Sequence, residues 1–204
     1  MSRYRGAKIK LIKRLGRLPN FTQKITQSLL DYYKKKKSKS KSKKKEEIKY
    51  VTRLKEKQKL KFNYGIVEKQ LYNYIKEARR RNGITGLILL QLLEMRLDNV
   101  CFRLGFGKTI AQARQFVNHG HILVNKSVVD IPSFQCHLND NISIRKNSKL
   151  LIQKNLDSKR IKNLPIHLKL DKSNLEGKII DYCNRKSVLL KLNELLVIEY
   201  YSRR

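Results

Sequence analysis

The sequence predicts an α+β fold, with a mainly helical body built from both chain ends and a central segment of two helices and a small antiparallel sheet. Three observations carry this reading. Apolar residues recur at helical spacing through 46–81 and again through 85–117. Short β-branched or apolar runs separated by turn residues follow at 122–131 and 142–144. The closing stretch LLKLNELLVIEYYS is too apolar to be left in water, so it should dock onto the earlier helices and bring the two chain ends together.

Charge narrows the function classes before any motif does. The chain has 204 residues, and 48 Lys plus Arg against 16 Asp plus Glu leave a net charge of +32. Self-repulsion on that scale opposes compaction unless an anion neutralises it, so a polyanionic partner is expected, nucleic acid first. A hydrophobic content of 40% is enough for real cores, and no apolar stretch is long enough to span a bilayer. The three cysteines, Cys101, Cys136 and Cys183, are odd in number and far apart. They contain no C-x-x-C, which argues against a disulfide framework and a Cys-rich zinc site. No paired carboxylates and no nucleophile with a base stand out, so no catalytic residue and no cofactor are assigned.

Taken in order, residues 2–20 read as an extended basic arm with one short helical turn near Ile9–Leu15. The arm has too little apolar surface to fold alone and carries Arg3, Arg5 and Arg14 as RNA-contact candidates. Lys34–Lys45 is made of Lys and Ser only, a self-repelling flexible insertion. Glu46–Tyr64 reads as a helix with Val51, Leu54 and Phe62 inward. Arg53, Lys57 and Lys61 point outward to RNA, and Tyr64 joins them. Ile66–Arg81 is a second helix, with Val67, Leu71, Tyr74, Ile75 and Ala78 buried and Arg79, Arg80 and Arg81 in its last turn. Those arginines suit the helix dipole, but three in a row exceed that need and are assigned to RNA.

Thr85–Gly86 opens a long apolar helix on which Leu93, Leu97, Val100 and Leu104 form one face, stopped by Gly105 and Gly107. Thr109 with Gln112 makes a capping box for the next helix, which buries Ala113, Phe116 and Val117 and ends at Gly120. Ile122–Val124 and Val128–Ile131 form a hairpin about Asn125-Lys126-Ser127. Arg103, Lys108, Arg114, Gln115, Asn118, His119, His121 and Lys126 stand between the apolar positions as a basic, amide- and imidazole-bearing face. Arg96 and Asp98 are better explained as an internal pair, and Thr109 as a cap. For His119 alone, a structural role in the turn is as good an explanation as RNA contact. Ile142 and Ile144 mark a strand, Lys149–Leu156 a connecting helix, Pro165–Leu170 an extended segment and Ser173–Gly177 a loop.

The run LLEMRLDNVCFRLGFGKTIAQARQFVNHGHILVNKSVVDIPSF closely resembles the RNA-binding module of the small-subunit ribosomal protein four (S-four) family. MSRYRG, RLKEKQKLKFNYGIVEKQL and NELLVIEYYSR extend the resemblance over nearly the whole chain, and it is closest to the plastid-encoded form. It implies an S-four module at 89–154, inserted into a helical domain at 46–88 that 155–204 completes, with 1–45 as basic arm and insertion. It also implies direct, early binding to a helix junction in the 5′ domain of small-subunit rRNA, and a role in nucleating assembly. The protein would sit beside small-subunit proteins three and five, near the path by which mRNA enters. Asn193, Glu194, Glu199 and Tyr200 would lie at the interface with protein five, which is associated with decoding accuracy.

The further implications are no homo-oligomer, no membrane, and residence in the ribosome of the chloroplast stroma, or alternatively of a bacterial cytoplasm. The family's N-terminal zinc cluster is absent, because no Cys precedes Cys101. The Lys34–Lys45 run, Gly120 and Lys126 depart from the family pattern. An RNA-modifying enzyme or a ribosome-rescue factor carrying the same module is the alternative. Only about 50 residues follow the module, too few for a catalytic domain. Charge reversal at Lys108 together with Arg114 is expected to lower RNA affinity without unfolding the chain.

Overall fold

The computed structural model describes Tyr4 and residues 6–22, 49–156 and 164–202. Arg3, Arg5 and the Lys34–Lys45 run lie outside the described residues. The chain divides into two compact units, residues 1–73 with 190–204, and residues 74–189. These limits differ from the expected 46–88 with 155–204 and 89–154.

In the first unit the N-terminal segment is more ordered than its composition suggested. Helix α1 (Lys8–Leu15) buries Leu11, Ile12 and Leu15, and Leu18 and Phe21 follow them into the core. The Asn20 backbone N–H donates to Asn63 Oδ1 at 3.1 Å. The helical turn expected near Ile9–Leu15 is there as α1, and the rest of the arm packs rather than staying extended, because five apolar side chains from Leu11 to Phe21 suffice once a partner helix is at hand. That partner is α2 (Lys49–Tyr64). Tyr4 and Phe21 meet Phe62 edge-on, with ring centroids 5.5 and 6.4 Å away. Val51, expected inward, is exposed. Helix α3 (Glu68–Arg80) follows directly and continues past the limit of this unit, burying Leu71 within it and Ile75 and Ala78 in the second.

The last helix of the chain, here α8 (Glu194–Ser202), packs on α2 as the apolar tail required, with Val197, Tyr200 and Tyr201 buried. Tyr200 lies 5.9 Å from Tyr50, and Lys57 Nζ sits 4.5 Å over the Tyr200 ring.

In the second unit the single long helix expected from Thr85 is two helices, α4 (Thr85–Glu94) and α5 (Leu97–Arg103). The break falls at Arg96, whose backbone turns extended (ψ 138°) and bridges to Gln135. Around it the Leu97 N–H donates to Phe134 O and the Cys136 N–H to Met95 O, each at 2.9 Å. Leu93, Leu97, Val100 and Leu104 still share one buried side.

Helix α6 (Ile110–Asn118) begins as its capping signal predicts, with Thr109 Oγ1 accepting from the Gln112 N–H and Gln112 Oε1 accepting from the Lys108 N–H. The loop between α5 and α6 presses against this first turn. A Cβ added at Gly107 would stand 2.7 Å from Ala113 N.

Strands β1 (Ile122–Val124) and β2 (Ser127–Val128) form the hairpin, tighter than expected: Asn125 (φ 50°) and Lys126 (φ 70°) are the two left-handed turn residues, and Ser127 belongs to β2. Strand β3 (Asn141–Ile144) pairs antiparallel with β1, Ile122 opposite Ile144. The connecting helix, α7 (Lys149–Leu156), is as predicted. Beyond it the expected loop at 173–177 is shorter than that, a turn through Leu175 with Glu176 and Gly177 already in a strand. Strands β4 (Leu168–Asp171) and β5 (Glu176–Ile179) form a second hairpin, completing a five-stranded antiparallel sheet in the order β2-β1-β3-β5-β4. Asp171 makes this turn by accepting from the backbone of Ser173 and from Asn174. One core joins Leu97, Val100, Leu104, Phe106, Val117, Ile122, Ile142, Ile152, Leu168 and Ile179, which carries residues 168–179 into this unit and moves its boundary.

Candidate nucleic-acid interface

Two buried carboxylates frame the site. Asp98, wholly buried, accepts from Arg96 Nε at 3.0 Å and Nη2 at 2.8 Å, while Arg96 Nη1 donates to Tyr74 Oη at 2.7 Å. Arg114 reaches the same carboxylate from α6, Nη2 to Oδ2 at 2.5 Å. Glu94 is equally buried and accepts from Arg103 Nε at 2.9 Å and Nη2 at 2.8 Å, and from Asn99 Nδ2 at 2.7 Å. The expected internal role of Arg96 with Asp98 holds. The assignment of Arg103 to RNA is corrected, because its guanidinium is buried in a two-pronged pair with Glu94. Arg114 is likewise committed to Asp98, its side chain 13% exposed. Withdrawing Arg103 would strip Glu94 of its arginine, and withdrawing Arg114 would leave buried Asp98 to Arg96 alone.

What remains on the outside is a compact set. Gln115 and Asn118 share the solvent face of α6, His119 is its exposed C-cap, and Lys108 is exposed just before its N-cap. At 1.5 Å per residue the ends of α6, Ile110 and Asn118, stand roughly 12 Å apart along the helix. Lys126 is exposed at the hairpin tip. Asn125 clips that tip onto β3, its Oδ1 accepting from the Asn141 N–H at 2.9 Å and its Nδ2 donating to Asp140 at 2.8 Å.

His121 is half-buried between these features, its Nδ1 2.8 Å from Ser148 Oγ and its ring 5.9 Å from both Phe116 and His119. Burial first, then His119 and Arg145, hold its pKa below the ordinary 6.5. Arg145 and Lys146 are exposed immediately after β3 and were missed in the sequence. The signal was the alternation that marks Ile142 and Ile144 as a strand. Only the β1–β3 register puts the residue after that strand beside His121.

The helical unit presents fewer free cations than expected. Tyr64 is 1% exposed and Lys57 6%, so their assignment to RNA contact is corrected: both lie inside the unit, Lys57 against Glu68 at 2.7 Å and the Tyr200 ring. Lys61 pairs with Glu68 and Arg53 with Glu199, both half-buried rather than outward. Tyr201 Oη also donates to Glu68 at 2.6 Å. Burial tends to raise the Glu68 pKa, but hydrogen bonds from Lys57, Tyr201 and Lys61 more than offset it and lower the value to about 2. Arg14 is exposed and donates to Gln58 at 2.7 Å. Arg79, Arg80 and Arg81 are all exposed, with Arg80 and Arg81 also held by Glu77.

Of the four residues assigned to a protein interface, Tyr200 is corrected, because its ring is buried against α2. Asn193 is exposed, Glu194 half-buried and Glu199 engaged with Arg53. Among the described residues no group of three or more His, Cys, Asp or Glu could hold a metal ion, and no helix is long and apolar enough to cross a membrane.

Comparison with known proteins agrees with this construction. The family model described as the ribosomal protein S4/S9 N-terminal domain matches residues 3–94, and the S4 domain model matches 95–142. The small ribosomal subunit protein uS4c of Phaeodactylum tricornutum is 57% identical, and that of Trieres chinensis 59%. The small ribosomal subunit protein uS4 of Synechococcus sp. (strain RCC307) is 52% identical, and all three alignments cover the whole of both chains. The chain therefore belongs to the small-subunit ribosomal protein uS4 family.

Proposed function

We propose that the chain is a structural component of the small ribosomal subunit that binds its rRNA directly, at a helix junction of the 5′ domain, and nucleates assembly there. The observation that carries this is the exposed set on α6 and the hairpin tip: Lys108, Gln115, Asn118, His119 and Lys126, with His121 set behind them, on a frame of internally neutralised arginines. Helical RNA hides its base edges in a deep, narrow groove, so a protein reads a junction by its phosphates, 2′-hydroxyls and splayed bases. Lysines address the phosphates, while amides and imidazoles address the 2′-hydroxyls. Arg14 and Arg79–Arg81 extend the positive surface of the chain. Arg3, Arg5 and the Lys34–Lys45 run add charge from outside the described residues.

Beside this RNA role, the C-terminal segment meets small-subunit protein five, with protein three close by and the incoming mRNA near, and that contact supports decoding accuracy. Asn193, Glu194 and Glu199, with the 65% exposed Leu195, are the side chains suited to it. The role is architectural rather than catalytic and needs no cofactor. The uS4c relatives support a place in the chloroplast ribosome, and the cyanobacterial relatives are the reason a bacterial cytoplasm stays as the alternative. Co-sedimentation tests the assignment. The chain should remain with small subunits through a high-salt wash, and its release into the supernatant would contradict an integral place in the particle.

A further inference from the structure

The strongest feature that the proposed function leaves unused is the corner where α6 and β3 end and β1 begins. Antiparallel pairing of Ile122 with Ile144 sets the residue before β1 beside the residue after β3, and the Arg145 N–H donates to His121 O at 2.9 Å. Gly120, at φ 66°, reverses the chain between His119 and His121, and the two rings come within 5.9 Å. The next turn, Lys146–Ser148, supplies the Ser148 hydroxyl that anchors His121 Nδ1. With that hydroxyl donating, the neutral ring carries its proton on Nε2, ready to act as a donor.

We propose that His119, His121, Arg145 and Lys146 form a phosphate-binding corner of the RNA surface, and that filling it draws a solvent proton onto the His121 imidazole, so that RNA affinity rises as pH falls. The proposal rests on the RNA-binding reading and adds a site and a proton linkage to it. The groups facing His121 are Phe116 and His119 from α6, Arg145 from the end of β3 and Ser148 from the following turn. Arg145 carries a fixed positive charge. Burial first, then His119 and Arg145, hold the His121 pKa below its ordinary value, so that its ring is neutral in the free protein at neutral pH. A phosphate reverses the sign of that local field, so the imidazole binds its proton more tightly in the complex than out of it. A group whose pKa is raised on binding contributes most affinity below its free value. It loses that contribution as pH rises through the bound value.

The test uses the full chain and two probes, a small-subunit rRNA 5′-domain fragment and an unrelated structured RNA, titrated at about pH 6 and about pH 8 at one ionic strength. The wild type should bind roughly threefold to tenfold tighter at the lower pH. A His119→Gln/His121→Gln variant, checked for an unchanged thermal transition, should lose that dependence. Only His137 and His167 then remain of the four histidines. Because both are exposed, Arg145→Gln and Lys146→Gln can be made without disturbing the core. Together they should flatten the salt slope by about 1. If His121→Gln alters folding, the exposed Arg145→Gln and Lys146→Gln variants decide the matter, through the salt slope and through the pH dependence that a lost phosphate site should abolish. A pH dependence that survives the histidine changes, or a salt slope untouched by the Arg145 and Lys146 changes, overturns the corner. A lack of preference for the 5′-domain fragment instead counts against the wider functional reading, and the corner is then judged from the slopes on the unrelated RNA.

Discussion

Arg114 Nη2 lies 2.5 Å from Asp98 Oδ2, so a cation placed by the sequence among RNA ligands is bound to a fully buried carboxylate. Arg96 holds the same group from the other side. Arg114→Glu would set a second acid against Asp98 and should cost about 3–5 kcal/mol, the range for breaking a buried pair. Urea denaturation would measure it. The joint charge reversal once expected to spare folding should therefore split: Arg114→Glu lowers the unfolding midpoint, while Lys108→Glu leaves it in place and weakens RNA binding. Equal midpoints for the two variants would place Arg114 on the surface.

Lys126 occupies a left-handed turn position, φ 70°, where an L side chain carries a conformational cost of about 1 kcal/mol that glycine avoids. Lys126→Gly should raise stability by about that amount in a denaturant titration and, in the same protein, weaken RNA binding uniformly. Stability and affinity would move in opposite directions. A residue important only for the hairpin would not separate them.

Close packing of the loop before α6 makes Gly107→Ala a sharp probe. The new methyl would meet Ala113 N at 2.7 Å and Ala113 Cα at 2.9 Å, and backbone cannot rotate away as a side chain can. A loss of about 1–3 kcal/mol is expected, read as a lower thermal midpoint. An unchanged midpoint would mean that the loop is free to lift off α6.

Glu68 links α2, α3 and α8 through Lys57, Lys61 and Tyr201. Its pKa is lowered from 4.5 to about 2 in the folded chain, so its contribution to stability is present above 4.5 and is lost progressively as pH falls toward about 2. Glu68→Gln should flatten the acid limb of a stability-against-pH curve over that window and leave the slope near neutrality unchanged. The same acid limb in both proteins would show that Glu68 is not a source of it.

Local signals were legible where the determinants were local. The Thr109 cap, the end at Gly120 and the Lys149–Leu156 helix are written in short-range chemistry and appear where it places them, while the turn expected over Asn125-Lys126-Ser127 is one residue shorter. The break at Arg96 was not legible, because Leu93, Leu97 and Leu104 keep helical spacing across it and the cause is a bridge to Gln135, 39 residues away. The β4–β5 hairpin was hidden for a related reason. Glu176, Gly177 and Lys178 carry little strand propensity, and Gly177 is tolerated because a Cβ there would stand 2.4 Å from Leu104. The site was over-read in one respect. Charge marks a residue as basic without naming its partner, and Lys57, Arg103 and Arg114 found theirs within the chain, at Glu68, Glu94 and Asp98.

The central claim, that an outward cationic and polar face binds small-subunit rRNA through its phosphates, is tested most directly by titrating the full chain against a 5′-domain rRNA fragment over a range of salt. Affinity should fall steeply and linearly on logarithmic axes, by roughly 0.7 to 0.9 in slope for each phosphate neutralised, and it should exceed that for an unrelated RNA at every salt concentration. A flat salt dependence, or equal affinity for the two RNAs throughout, would contradict it.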